Sequence, residues 1–302
     1  MEFDELRRRL AGVVAIPVTP FDEHDQLDKS AYFRILTRMV DGGIEVVTPN
    51  GNTGEFYALS AAETRQAVEL TMTAVGDTAT VLAGVGHAVP DAIAAARHAR
   101  QTGAHAIMIH QPVHPYVSAA GWVDYHRAIA DAVPELGVVL YMRGTRIDAV
   151  HIGRLGELAP NVIGVKYAVA DPAHFASVAR DAGLDRFVWL AGLAELSAPG
   201  YWVNGATGFT SGLANVHPAL PLAMLAALRG QDYTEAIRVW QRVQPFEALR
   251  AADDSADNVS VVKAALAQLK LCRPDVRPPS RHLDDAGTAA VARLLADWGL
   301  TT

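Results

Sequence analysis

The chain has 302 residues, of which half are hydrophobic and a fifth charged, and its formal net charge is −7. This composition supports a substantial core, and the negative charge argues against nucleic acid and anionic membranes as partners. A single cysteine, Cys272, excludes an intramolecular disulfide and fits a reducing compartment. The N-terminus lacks a signal-peptide pattern, and no apolar run is long enough to span a bilayer. We therefore expect a soluble cytoplasmic protein.

Short apolar runs alternate with segments of helical spacing along most of the chain. The predicted strands cover residues 12–21, 45–48, 80–83, 106–109, 137–141, 161–168, 187–190 and 208–211. The predicted helices cover residues 30–40, 61–74, 91–102, 119–132, 149–158, 173–182, 194–203 and 218–228. The second of these helices begins with a capping-box pattern, Ser60 followed three residues later by Glu63.

Eight strand–helix units predict a (β/α)8 TIM barrel, which we place at residues 1–230 together with its active site. The alternative, a doubly wound open sheet, requires a glycine-rich phosphate loop after its first strand, and no GxGxxG follows residues 12–21. Residues 231–302 are predicted as a C-terminal helical extension with helices at 233–243, 259–271 and 288–298. The sequence leaves open whether these helices cover the barrel or form an oligomer interface.

One lysine stands inside an apolar strand. The chain has only four lysines among its 26 basic residues, and Lys166 lies in the predicted strand at 161–168. A lysine at a strand end often just extends its charge to water. However, arginine stays protonated, whereas a desolvated lysine can lose its proton and attack a carbonyl group as a free amine. We therefore predict that Lys166 is a Schiff-base nucleophile.

Other candidate residues follow the predicted strands, where the active sites of such barrels lie. The glycines of the loop at 50–55 would let its backbone approach a carboxylate, unless the loop is an ordinary Asn-Gly turn. Tyr141 ends the fifth strand and could relay protons or only pack. Arg143 and Arg146 come next and would suit an anionic substrate, unless they are solvated loop charges.

The sequence offers no pattern for a metal or a serine nucleophile. His110 and His114 are close together, but no acidic residue is near them. No Gly-x-Ser-x-Gly elbow is present. We therefore predict neither a metal site nor another cofactor.

Taken together, the motifs resemble those of the dihydrodipicolinate synthase / N-acetylneuraminate lyase family of Schiff-base aldolases and dehydratases. The resemblance runs from about Gly12 to Leu228, on Ile16-Pro-Val-Thr-Pro-Phe21, Gly51-Asn-Thr-Gly-Glu55, Tyr141, Gly164-Val-Lys166 and Gly208-Phe-Thr-Ser211. It implies that Lys166 forms an imine with a 2-oxo acid and that Tyr141 is the acid/base. It also implies a homodimer or homotetramer, with a carboxylate-binding loop at Asn52, Thr53 and Gly54 and a site lined by Thr210.

Several positions depart from the pattern of the synthases in this family. Those enzymes use a threonine of the loop in a proton relay between two tyrosines, and here Asn52 replaces that threonine while His114 stands at a relay tyrosine. The loop and Arg143 are closer to the 5-dehydro-4-deoxyglucarate dehydratases. In contrast, Arg146 matches the arginine by which the synthases hold the carboxylate of their aldehyde substrate.

Three functions are compatible with these residues. The first is a Schiff-base lyase, either a dehydratase or an aldolase, that acts on a sugar-acid-derived 2-oxo acid. The second is the synthase that condenses pyruvate with aspartate semialdehyde, and the third is a non-catalytic protein that binds a 2-oxo acid. We favour the first, because Asn52 and His114 alter the relay of the synthases, and because pure binding requires neither Lys166 nor Tyr141.

Overall fold

The computed structural model describes residues 1–300. Eight parallel strands close a barrel in sequence order, with β8 returning to pair with β1. The strands are β1 (Val13–Ala15), β2 (Val46–Val47), β3 (Thr80–Val85), β4 (Ala106–Ile109), β5 (Gly137–Met142), β6 (Val162–Tyr167), β7 (Val188–Ala191) and β8 (Gly208–Ser211). Every strand residue is buried, as expected for parallel strands that are covered on both faces. The predicted (β/α)8 barrel is confirmed.

Eight helices alternate with the strands and surround the barrel. They are α2 (Lys29–Asp41), α3 (Ala61–Val75), α4 (Val89–Thr102), α5 (Ala119–Asp131), α6 (Ala149–Leu158), α7 (Pro172–Ala182), α8 (Ala194–Trp202) and α9 (Ala219–Arg229). The predicted capping box at the start of α3 is confirmed, since Ser60 and Glu63 bond to each other's backbone N–H groups.

A further helix, α1 (Phe3–Leu10), precedes the barrel and is missing from the sequence prediction. Its buried residues Leu6 and Leu10 join the cluster of side chains inside the barrel, which includes Val14 and Val139. Because α1 leads directly into the start of β1, it packs across the N-terminal end of the barrel. The C-terminal ends of the strands are left for the functional site.

The first strand is much shorter than predicted. It ends at Ala15, whereas the apolar run that we assigned to it continues to Phe21. Pro17 and Pro20 have no N–H group with which to extend the ladder of hydrogen bonds. The rest of the run is a buried loop, and only Phe21 pairs again, in an isolated bridge with Leu27.

Three helices follow the barrel: α10 (Tyr233–Ser255), α11 (Asn258–Gln268) and α12 (Asp285–Asp297). The first is longer than predicted, because it continues through Pro245 and buries Phe246 before its backbone leaves the helical conformation at Ala252. It packs against α8 and α9, so this part of the chain covers the barrel. Within residues 1–300, no helix has both the length and the hydropathy that crossing a membrane requires.

Candidate active site

A cavity of about 400 Å³ opens at the C-terminal ends of the strands. It brings together a set of residues that the sequence places far apart but assigns to one site. The predicted residues in its lining are Asn52, Thr53, Tyr141, Arg143, Lys166 and Thr210.

Lys166 lies deep in this cavity on β6. It is paired in register with Tyr141 on the neighbouring strand β5, so the two side chains share one face, and Nζ lies 4.5 Å from the centroid of the phenol ring. The residue is only 3% exposed. Burial lowers the pKa of Lys166 to about 7, and the charges of Arg250 and Arg143 act in the same direction. Close to neutral pH, a large share of Lys166 is therefore a free amine.

The hydroxyl of Tyr141 is held by the loop that follows β2. Asn52 Nδ2 donates a hydrogen bond to it at 3.0 Å. Burial raises the pKa of Tyr141, and this effect outweighs the opposing charge of Arg143 and the bond from Asn52. The phenol is therefore protonated at neutral pH and has a proton to donate. Asn52 thus contacts the catalytic candidate directly, as the replacement of the relay threonine implies.

Close packing under the same loop fixes its position. Residues Asn52–Gly54 form a short 3-10 turn. A Cβ atom on Gly54 would lie 2.9 Å from the carbonyl oxygen of Pro17, and the Gly54 carbonyl accepts a hydrogen bond from Thr19 Oγ1 at 2.8 Å. Gly54 therefore supports the turn from below, while Asn52 and Thr53 line the cavity.

The two predicted arginines lie in different places. Arg143 is at the exposed rim of the cavity, with Nη2 3.4 Å from Asp254 Oδ1. Arg146 lines a separate, smaller pocket, where its Nη1 donates to the carbonyl oxygen of Val117 at 3.4 Å. Of the two, Arg143 is the one that an anionic group in the main cavity would meet.

The two histidines also differ in environment. His114 is exposed in the loop between β4 and α5, and its Nδ1 accepts a hydrogen bond from the Tyr116 N–H at 3.2 Å. His110 is fully buried, stacks on the ring of Phe56 and contacts the carbonyl oxygen of Asn50 through Nε2 at 2.8 Å. Burial lowers the pKa of His110 to about 3, which keeps the ring neutral. The proposed relay role of His114 stays a prediction.

The C-terminal helices bring to the cavity an ion pair that was not predicted from the sequence. Arg250 and Glu247 lie one turn apart on α10 and line the cavity, with Nη1 2.8 Å from both carboxylate oxygens. Asn258, at the start of α11, lines it as well. Charged residues beside the buried positions Val243 and Phe246 are the sequence signal that could have identified the pair.

A buried carboxyl group, Glu195 on α8, was also not predicted from the sequence. Ser211 Oγ donates to Glu195 Oε1 at 2.5 Å, and the residue is completely buried. Burial raises the pKa of Glu195 to about 8, with the charge of Glu247 adding to the effect. At neutral pH this side chain is therefore protonated. Among residues 1–300, no group of three or more histidine, cysteine or acidic side chains is placed to hold a metal ion.

The chain resembles known proteins along nearly its whole length. The family model of the dihydrodipicolinate synthetase family matches residues 9–297. A probable 5-dehydro-4-deoxyglucarate dehydratase of Rhizobium rhizogenes is 29% identical over 296 residues, which is 96% of this chain and 97% of that one. A 4-hydroxy-tetrahydrodipicolinate synthase of Phenylobacterium zucineum is 32% identical over 294 residues, again 96% and 97% of the two chains.

The crystal structure of dihydrodipicolinate synthase from Bacillus clausii superimposes with a TM-score of 0.94 at 38% identity, covering 98% of this chain and 100% of that one. Relatives along the whole chain are thus named both as dehydratases and as synthases. On the barrel, the cavity and this match, the chain belongs to the dihydrodipicolinate synthetase family.

Proposed function

We propose that the protein is a lyase that forms a Schiff base between Lys166 and a 2-oxo acid. The substrate that we favour is derived from a sugar acid, such as 5-dehydro-4-deoxyglucarate, and the reaction is a dehydration or an aldol cleavage. The observation that carries the proposal is the buried amine of Lys166, which lies beside the phenol of Tyr141 and has a pKa of about 7. A lysine in this state is a nucleophile rather than a surface charge.

In the proposed reaction, the Lys166 amine attacks the carbonyl carbon and forms a carbinolamine. Tyr141 donates its proton to the hydroxyl group, which leaves as water as the C=N bond forms. The iminium then withdraws electrons from the adjacent carbon, whose proton passes to the Tyr141 phenolate. In a dehydration, the resulting enamine expels the hydroxyl group of the next carbon, which takes the proton from Tyr141 and leaves as water. In an aldol cleavage, the phenolate instead takes the proton of the hydroxyl group on the next carbon, the bond between the two carbons breaks and an aldehyde leaves, and the remaining enamine is protonated by Tyr141. In both reactions, water then hydrolyses the iminium, which releases the product and the free Lys166 amine.

The rest of the cavity supports a substrate with two anionic groups. By the resemblance, Asn52 and Thr53 bind the carboxylate beside the 2-oxo carbon, and Thr210 lines the wall near it. A second anion at the far end would meet Arg143 at the rim. This pairing favours a dicarboxylic 2-oxo acid over pyruvate alone, because a guanidinium group binds a carboxylate by charge-assisted hydrogen bonds.

A synthase that condenses pyruvate with aspartate semialdehyde is the second candidate. It is supported by the relatives that carry this name, such as the one from Phenylobacterium zucineum. Against it stand Asn52 in the relay and the exposed position of His114.

Turnover of a panel of 2-oxo acids, each with and without an aldehyde, separates the candidates. We expect loss of water or of an aldehyde from a dicarboxylic sugar-derived 2-oxo acid. The synthase reaction should be poor, with kcat/KM below about 10⁴ M⁻¹s⁻¹, the low end for enzymes on their natural substrates. Efficient condensation of pyruvate with aspartate semialdehyde would assign the chain to the second candidate. Turnover of no 2-oxo acid would favour a binding protein.

A further inference from the structure

We propose that Arg250 binds the substrate, by donating a hydrogen bond to the carboxylate that adjoins the 2-oxo carbon. The residue belongs to the C-terminal helix α10 and not to the barrel. This inference rests on the proposed function, since it concerns the same cavity and the same class of substrate.

The hydrogen bonds of Arg250 leave one donor directed at the site. A guanidinium group has five N–H donors. Two are used by Nη1, which contacts both oxygens of Glu247 at 2.8 Å. Two more bond to Asn258, from Nε to its carbonyl oxygen at 3.2 Å and from Nη2 to Oδ1 at 2.6 Å. The fifth, on Nη2, faces Thr53 Oγ1 at 3.4 Å, which is long for a hydrogen bond and leaves that donor available to a stronger acceptor.

The guanidinium group of Arg250 is fixed in a buried position. Arg250 is only 5% exposed, and its partner Glu247 is 3% exposed. The barrel makes room for it at Gly212, directly after β8, where a Cβ atom would lie 2.3 Å from Nη2. A buried ion pair is weak evidence for stability, since apolar residues of similar volume often stabilise a protein as well. The geometry therefore calls for another explanation, and a ligand beside Thr53 provides one.

The positive charge of Arg250 also suits it to bind this carboxylate. A carboxylate bound beside Lys166 must leave water, and a buried anion is costly unless a cation or several donors face it. Thr53 is neutral, and one of the two N–H donors of the Asn52 side chain is already used by Tyr141. Arg143 is at the exposed rim, next to Asp254. Arg250 is the buried guanidinium that lines the same cavity as Thr53 and Lys166.

The test compares two ketones in borohydride trapping of the wild type and a variant. Pyruvate carries the carboxylate, and hydroxyacetone does not. The double variant Glu247→Met/Arg250→Met removes both charges, so that neither is left buried and unpaired. In the variant, the pyruvate concentration for half-maximal trapping should rise by about 10- to 150-fold, the cost of a charge-assisted hydrogen bond. Both ketones are compared at a pH above the Lys166 pKa of each protein, because loss of Arg250 raises that pKa. The hydroxyacetone concentration for half-maximal trapping should then stay within about two-fold, because hydroxyacetone has no carboxylate to hold.

The control is Arg238→Gln, an exposed arginine on the same helix, which should leave both concentrations unchanged. Circular dichroism reports whether each variant folds. If Glu247→Met/Arg250→Met does not fold, the double variant Glu247→Gln/Arg250→Gln is used in its place. The role of Arg250 would be overturned if the pyruvate concentration for half-maximal trapping did not change, or if it rose by the same factor for both ketones. Either result would leave the proposed function intact. Failure of the wild type to be trapped by any 2-oxo acid would overturn both.

Discussion

At the scale of single residues, the proposed chemistry depends on a lysine whose charge is suppressed by its surroundings. Burial contributes most to the lowered pKa of Lys166, followed by Arg250 and Arg143. Imine formation requires the neutral amine, so the trapping rate with saturating pyruvate should rise with pH and reach half its maximum near pH 7. Loss of the cation in Arg143→Gln should raise the pKa of Lys166 and shift this midpoint upward. A midpoint near pH 10, as for an exposed lysine, would contradict the assignment.

Tyr141 is the second residue on which the proposed mechanism depends. Tyr141→Phe removes the hydroxyl that accepts from Asn52 but keeps the ring under Lys166. We expect imine formation to persist, and kcat to fall by about 10²- to 10⁴-fold, as is usual for a positioned acid/base. Steady-state turnover and borohydride trapping on the same preparation measure the two effects. Turnover within a few-fold of the wild type would remove Tyr141 from the mechanism.

At the scale of elements, the barrel could be predicted because apolar residues form short continuous runs in buried strands but recur every three to four residues in amphipathic helices. Lys166 and Tyr141 could also be predicted as site candidates, since a lone lysine in a buried strand and a tyrosine at a strand end are local signals. The end of β1 is marked locally by Pro17 and Pro20, whereas the continuation of α10 past Pro245 could not be predicted, because tertiary burial decided it. Likewise, Glu195 reads as an ordinary helix residue in the sequence, and only the packing of α8 against β8 buries it.

The burial of Glu195 has a consequence for stability. Its pKa is raised from 4.5 to about 8, so the folded protein retains a proton that the unfolded chain loses in this range. Stability should therefore fall as pH rises from 4.5 to 8, by up to about 1.4 kcal/mol per pH unit. Glu195→Gln removes this dependence. Urea unfolding at pH 5 and at pH 8 should show that the free energy of unfolding of the variant increases relative to that of the wild type as pH rises. The same change in the free energy of unfolding with pH for both proteins would contradict the raised pKa.

At the scale of the whole molecule, the C-terminal segment completes the site and is anchored to it. Lys263 on α11 donates to Glu55 Oε2 at 2.5 Å, and the backbone N–H of Arg277 donates to the other oxygen at 2.8 Å. Glu55 directly follows the turn Asn52–Gly54. These bonds tie the C-terminal helices to the substrate loop, an arrangement that no local sequence pattern could predict. The expected dimer or tetramer stays a prediction.

Breaking this anchor should cost far more than removing a surface lysine. Lys263→Met leaves the carboxylate of Glu55 buried without its cation, which should lower the free energy of unfolding by about 3–5 kcal/mol. Lys270→Met, at an exposed position on the same segment, is the matched control and should change it by less than about 0.5 kcal/mol. Urea unfolding measures both variants. Equal effects would mean that the ion pair is not an anchor.

We propose that Lys166 forms the covalent intermediate, and borohydride trapping followed by peptide mass analysis identifies the lysine that reacts. The protein is incubated with pyruvate or a longer 2-oxo acid, reduced with borohydride and digested. We expect one reduced adduct, on the peptide that carries Lys166, and none in Lys166→Ala. An adduct confined to Lys29, Lys263 or Lys270, or no adduct with any 2-oxo acid, would contradict it.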